Sequence, residues 1–176
     1  MPLEAGGRAG RPGLQAASTA VQVIAVTLLG LMAGFFFAFA VDVAPALAQL
    51  DASSYIVTMQ WINRVVRNAL FGSVYFGSAL LPFVAAGLVW ASGRRGLAAV
   101  WLLLALVYFG AVFWLTRSVN VPINNELALW NAASPPPQWQ QAREAWNHAN
   151  DIRAAASAAC FVAAVLALAL SGPKRT

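Results

Sequence analysis

Arg143, Trp146, Asn150, Arg153 and Ser157 follow one another at steps of three and four residues, the spacing that gathers side chains on one face of an α-helix. That helix would run straight into an apolar segment. An arginine at mid-bilayer costs roughly 2.5–3.5 kcal/mol on insertion scales, so the stripe is expected to turn inward, toward polar partners. A second set, Gln60, Asn63, Arg64 and Arg67, keeps helical spacing ahead of another apolar run. A third lies in Asn120-Val121-Pro122-Ile123-Asn124. There Asn120 suits an N-cap and Pro122 the first turn of a new short helix, which would bring Asn120 and Asn124 together. Carboxamides hold no charge for lipid headgroups to attract, so their mixture with arginine and tryptophan reads as a recognition surface. Two other readings compete with it: a solvated juxtamembrane rim, which Arg64, Arg67 and Arg117 fit singly, and a network that only fastens helices together.

Other chemistries find less support. His148, the single histidine, can act as a general base near neutral pH, but it falls off the Arg143–Asn150 face. Cys160 is the one cysteine and lies in an apolar run, so an internal disulfide is excluded and a small buried hydrophobe expected. One histidine without usable cysteine argues against a metal, with Glu126, Glu144 and Asp151 the remaining ligand types. No glycine-rich phosphate loop, nucleophile elbow or zinc-protease pattern occurs. No metal and no cofactor are expected.

The elements that position these residues follow from composition. Of 176 residues 60% are hydrophobic and only 10% charged, with a mean hydropathy of +0.67. A soluble domain is about a quarter charged. A net charge of +5 raises nucleic acid as a partner, but the basic residues are scattered around apolar runs, which excludes it. About 20 helical residues cross a hydrocarbon layer of roughly 30 Å. Four runs qualify: about 19–41, 70–91, 97–115 and 152–170, the last extending backwards through Trp146. Small residues (Gly30, Ala33, Gly34, Gly72, Gly77, Ser78) suit close helix contacts, Pro82 is expected to kink the second span, and Asp42 and Pro45 to close the first. Nothing alternates with a period of two, so strands are not expected. The expected fold is all-α: a polytopic membrane four-helix bundle (residues 17–172) with a short extra helix in the long outer connection between spans 3 and 4. Residues 1–16 read as a disordered cytoplasmic tail and 173–176 as a second short one.

Arg8, Arg11, Arg94, Arg95, Lys174 and Arg175 lie at one side of the four spans. The other side balances Arg64, Arg67, Arg117, Arg143 and Arg153 against Asp42, Asp51, Glu126, Glu144 and Asp151. The positive-inside rule then places both termini in the cytoplasm of a multi-pass cell-membrane protein. The connection Thr116–Asp151 is far longer than a helix hairpin needs.

Ala33-Gly34-Phe35-Phe36-Phe37-Ala38-Phe39 through Pro45-Ala46-Leu47, Met59-Gln60-Trp61-Ile62-Asn63, Val119-Asn120-Val121-Pro122-Ile123-Asn124-Asn125 and the spaced Arg143, Trp146, Asn150 and Arg153 together resemble the anthrone-oxygenase-like family of small four-span membrane proteins. The likeness covers nearly the whole chain after the tail, and its Asn120 segment looks like the bacterial version, most members of which have no assigned activity. Fungal members are similar to enzymes that oxidise an anthrone carbon to a quinone carbonyl with O2, without flavin or metal. The resemblance implies that Arg143 and Arg153 stabilise an enolate oxygen. It implies that Asn120, Asn124 and Asn150 orient carbonyl and phenol oxygens. Trp146 or Trp130 would form a stacking wall, with Gln60 and Asn63 joining the site. No member of this set is an obvious base; Asp151, Glu126, His148 or water would have to serve. Glu126 and Asp151 are the acids nearest in sequence to neutralise the arginines. The expected function is a cofactor-independent, membrane-bound oxygenase acting on a polycyclic phenol or quinone-like substrate. The alternative is a non-catalytic accessory protein that binds lipid or quinone in the same pocket. Membrane lipid, a small aromatic or quinone-like molecule and a second copy of the chain are the partners expected.

Overall fold

The computed structural model describes residues 12–171 and, among them, holds helices and no strands. We number five: α1 Pro12–Leu47, α2 Ala52–Val66, α3 Ala69–Ala91, α4 Arg95–Leu127 and α5 Trp139–Ala169. All but α2 are long and apolar enough to cross a membrane, so the chain is a multi-pass membrane protein. α1 already begins at Pro12, where a proline costs no helical hydrogen bond, so the last residues of the expected tail are helical; the rest of that tail and residues 173–176 lie outside the described part. α3 runs through Pro82 without a break.

α1 packs against α3 and α5, and α4 against α3 and α5. The shared core holds Leu29, Met32 and Phe36 from α1, Val89 from α3, Trp101, Tyr108 and Val112 from α4, and Cys160 and Ala164 from α5. Leu31, Leu80, Leu103 and Leu166 point outward, as a lipid-facing surface requires. Gly30 and Gly77 permit close packing: a Cβ there would come within 2.8 Å of Phe161 and 2.6 Å of Leu28. Gly34 and Gly72 have nothing within 4 Å of that position and make no such contact.

The turn between α3 and α4 needs Gly93, whose φ of +82° disfavours a side chain. The adjoining Arg94 guanidinium donates to the Leu170 and Ser171 carbonyls at the end of α5, where a cation suits unpaired carbonyls and the helix dipole.

Two prolines expected to mark boundaries do not interrupt their helices. α1 passes Asp42 and Pro45 and continues to Leu47, and α4 passes Pro122 and continues to Leu127. Each proline follows a π-helical stretch, Phe39–Val43 and Thr116–Asn120. There the Ala44 N–H reaches Phe39 O and the Val121 N–H reaches Thr116 O, five residues back rather than four. The longer register moves aside the carbonyl that a proline ring would strike. Helix Val121–Leu127 therefore exists, but as the C-terminal end of span 3. Asn120 does not cap it: its backbone is helical and its side chain makes no cap bond.

The separate extra helix is α2, between spans 1 and 2. Asp51 caps it by accepting from the Ser54 N–H at 3.0 Å and the Ser54 hydroxyl at 2.9 Å. It is amphipathic: Tyr55, Ile56 and Met59 pack with Phe39, Leu47, Leu127 and Trp146, while Val57, Trp61 and Val65 stay exposed. Asn68 starts α3 by accepting from the Phe71 N–H at 2.9 Å. Gln60, Asn63 and Arg64 thus sit on a helix of their own and not on the beginning of span 2.

Candidate functional site

At the α2 end of the bundle, α1, α2, α3, α4 and α5 enclose a cavity of about 180 Å³. Its walls are largely aromatic: Phe35, Phe36, Phe39, Phe71, Tyr75 and Trp146. Arg153 stands at the centre of its polar side and is only 4% exposed. Its Nη1 donates to Thr116 Oγ1 at 3.2 Å and its Nη2 to Asn150 Oδ1 at 3.1 Å. The guanidinium carbon lies 4.7 Å from the Phe36 ring centre and 5.1 Å from that of Trp146, close enough for cation–π attraction. Arg153 Nε is buried with no hydrogen-bond partner.

Neutralisation by acid does not occur here. The cavity lining holds Arg67 and Arg153 and no carboxylate, and Glu126 and Asp151, the expected partners, are both solvent-exposed. A buried, unneutralised guanidinium with a spare N–H is costly on its own, a cost that an acceptor, best an anionic one, would relieve. Asn63 adds a second donor: it is 7% exposed, lines the cavity, and its Nδ2 has no partner.

Five of the nine residues singled out in the sequence reach this cavity: Asn63, Asn124, Trp146, Asn150 and Arg153. Asn124 accepts from Trp146 Nε1 at 2.8 Å and so fixes the indole wall. Asn150 holds Arg153 and donates to Phe36 O at 3.5 Å, a long contact.

The other four lie outside the lining. Asn120 is buried and donates to Trp146 O at 3.1 Å, tying α4 to α5. Gln60 Nε2 donates to Leu127 O and Trp130 O at 3.0 Å each, tying α2 to the end of α4 and to the turn that follows it, in which Leu127 O also accepts from the Trp130 N–H. The Trp130 side chain packs in the α2 cluster. Arg143 sits over Trp139 and Tyr55, 4.9 and 5.8 Å from their ring centres. It shares a helix side with Arg153 but is ten residues away, about 15 Å along the axis. Burial pushes the Tyr55 hydroxyl up to about 12, partly offset by the Arg143 charge.

Residues that the sequence did not single out for the site are Phe36, Phe39, Phe71, Tyr75 and Thr116. Thr116 precedes Asn120 by one turn, the only spacing that could have revealed it. The aromatics were indistinguishable from ordinary span residues. Two of the three π stretches border the cavity, through Phe39 and Thr116, a frequent placement of π turns at functional sites, whereas the third, Phe109–Trp114, does not line it.

A larger cleft of about 630 Å³ opens at the Arg94 end. Gln22 there is fully engaged: Nε2 donates to Ser18 O and Oγ, and Oε1 accepts from Trp101 Nε1 and the Ser171 hydroxyl. Size alone favours this cleft, but unused bonding capacity favours the smaller one, and we take the latter as the site. Among the described residues, no three of His, Cys, Asp and Glu come together as a metal site would need.

No curated protein and no solved structure matches the chain. The family model described as anthrone oxygenase matches residues 66–163, more than half of the chain. The match spans α3, α4 and most of α5, and with them Tyr75, Thr116, Asn124, Trp146, Asn150 and Arg153. The chain belongs to the anthrone oxygenase family.

Proposed function

We propose that the protein is a membrane-bound oxygenase that oxidises a planar phenolic substrate with O2 in the Arg153 cavity, with no cofactor taking part. The observation that carries this reading is the buried Arg153, its Nε–H unpartnered, in an aromatic cavity without a carboxylate. A hydroxylated aromatic ketone is acidic, and its enolate is electron-rich enough to pass an electron to O2. Arg153 and Asn63 stabilise the enolate oxygens by hydrogen bonds to the charged form. The rings of Phe36, Phe39 and Trp146 take its faces. At about 180 Å³ the cavity is below the roughly 300–1,000 Å³ usual for ligand pockets, which favours a thin, flat substrate. The distribution of Lys and Arg supports a cell-membrane orientation with both termini cytoplasmic and the cavity toward the outer leaflet, where an apolar substrate arrives through lipid.

The same lining suits a second reading, an accessory protein that holds an aromatic anion without changing it, because no carboxylate or histidine is at hand for proton transfer. Turnover separates the two. The full-length protein in lipid nanodiscs, given 1,8-dihydroxyanthrone and air, is expected to accelerate O2 uptake and quinone formation. Arg153→Ala is expected to reduce this by about 100-fold or more, the scale of losing an oxyanion donor. Saturable binding without any acceleration would leave the accessory reading standing and end the oxygenase one.

A further inference from the structure

Oxidising a diaryl CH2 to a carbonyl with O2 moves protons as well as electrons: two leave carbon and two end on oxygen as water. Of the side chains that line the cavity, only Arg67, Arg153 and Tyr75 carry an ionisable proton, and arginine does not give its proton up. Tyr75 is thus the one group on the wall able to lose and regain a proton.

Its setting suits that task. The ring is held between Phe71 and Phe113, stacked at 5.9 and 5.5 Å between centres. The hydroxyl donates to Phe113 O at 3.3 Å, longer than the usual 2.5–3.0 Å for O–H···O, so little is lost when its proton goes elsewhere. The charged and titratable groups facing it are Arg153 from α5 and Tyr108 from α4; Arg67, at the end of α2, lines the same cavity but turns its guanidinium to Asn125, and α1 offers only Phe35, Phe36 and Phe39. Thr116, which binds Arg153, stands beside the hydroxyl. A negative charge formed on Tyr75 therefore meets a cation and no acid.

We propose that Tyr75 is a catalytic acid–base residue, carrying protons between the substrate carbon and the oxygen derived from O2. This rests on the oxygenase reading and deepens it. The bound enolate gives one electron to O2; the resulting carbon radical and superoxide combine, forming the C–O bond of a peroxide anion. Tyr75 donates its proton to that anion, giving the hydroperoxide and a tyrosinate beside Arg153. The tyrosinate removes the remaining hydrogen from the same carbon. Its C–H electron pair forms the carbonyl, the O–O bond breaks, and the departing hydroxide takes the proton back from Tyr75 as water. A second proton transfer, from the next neutral substrate to the tyrosinate, regenerates the enolate and the phenol. Every bond, proton and electron is then accounted for with O2 as sole oxidant.

The test uses the full chain in nanodiscs with 1,8-dihydroxyanthrone. Tyr75→Phe should lower kcat by about 100-fold or more, as expected for losing a proton-transfer group, with KM changed less than about threefold and binding of 1,8-dihydroxyanthraquinone retained as proof of folding. As a second probe, 3-fluorotyrosine at position 75 keeps the ring and shifts the pH–rate profile toward lower pH. A wild-type kcat in Tyr75→Phe, or an unshifted profile with fluorotyrosine, overturns the assignment. Wild-type protein that does not oxidise the anthrone overturns the oxygenase reading itself, a result visible before any variant is made.

Discussion

The two ends of the bundle each bury a polar side chain among helices, and they treat it oppositely. At the Arg94 end Gln22, 2% exposed, satisfies both hydrogens and both acceptor positions with Ser18, Trp101 and Ser171. At the α2 end Arg153, similarly buried, keeps an N–H without a partner and has no acid on the cavity wall. A closed network joins helices and asks nothing of a ligand. An open one carries a desolvation cost that a ligand can relieve. Burial of polar groups does not by itself distinguish structure from function, and neither does leftover bonding capacity, which Asn120, Tyr108 and Ser157 also keep outside the cavity lining. A spare donor on the residue that carries the charge of an aromatic cavity is what sets Arg153 apart.

Opposite stability effects should break or sharpen this contrast. Gln22→Leu strands Trp101 Nε1 and takes the Nε2 donor from the Ser18 hydroxyl, while Ser171 keeps its bond to Ala167 O. The largest loss is expected there, about 1–3 kcal/mol, on the scale of buried groups left unpaired, read as a lower melting point in nanodiscs. Its turnover per folded molecule should stay at the wild-type level. Arg153→Met removes an unneutralised charge. It should leave stability unchanged or raise it by about 1–2 kcal/mol, within the range seen when buried charges give way to apolar residues, because Asn150 Oδ1 loses its partner in return. A strongly destabilised Arg153→Met beside a tolerant Gln22→Leu would reverse the contrast.

A smaller effect is expected at α2. Tyr55 is buried beneath Arg143 and its hydroxyl titrates only near 12, against 10 for a free phenol. A folded value above the unfolded one means that the contribution is complete below pH 10 and lost as pH rises toward 12. Hydrogen exchange in Ala52–Val66 should therefore speed up across pH 10–12 more than in α3, and Tyr55→Phe should remove that excess. Equal acceleration in both variants would show that Tyr55 does not anchor α2.

How much of this the sequence could reveal depended on the length scale of each signal. Four apolar runs specify four spans because run length alone meets the thickness of the bilayer. The helical stripe correctly turned Asn150 and Arg153 inward, since periodicity reports direction around an axis. It carries no depth, and so placed Arg143 with Arg153 although about 15 Å of helix separates them. Pro45 and Pro122 read as boundaries because π register leaves no composition signature. Tyr75 and Thr116 were hidden because one hydroxyl within an apolar run looks like any other core residue. Gln60 and Asn120 are expected from the sequence to join the site, but both lie outside the cavity lining and bond to backbone carbonyls at a helix end and between helices.

The central claim, that Arg153 makes the cavity an acceptor site for a flat aromatic anion, is tested most directly by titrating the full-length protein in nanodiscs with 1,8-dihydroxyanthraquinone, which has the substrate's shape and is already oxidised. The visible spectrum reports ionisation of the bound phenol. The account predicts saturable binding with the phenolate band appearing at neutral pH, and an affinity weaker by about 100-fold, equivalent to about 2.7 kcal/mol, with no phenolate band, in the still-folded Arg153→Met. Equal affinity and an equal phenolate band in the two proteins would contradict it.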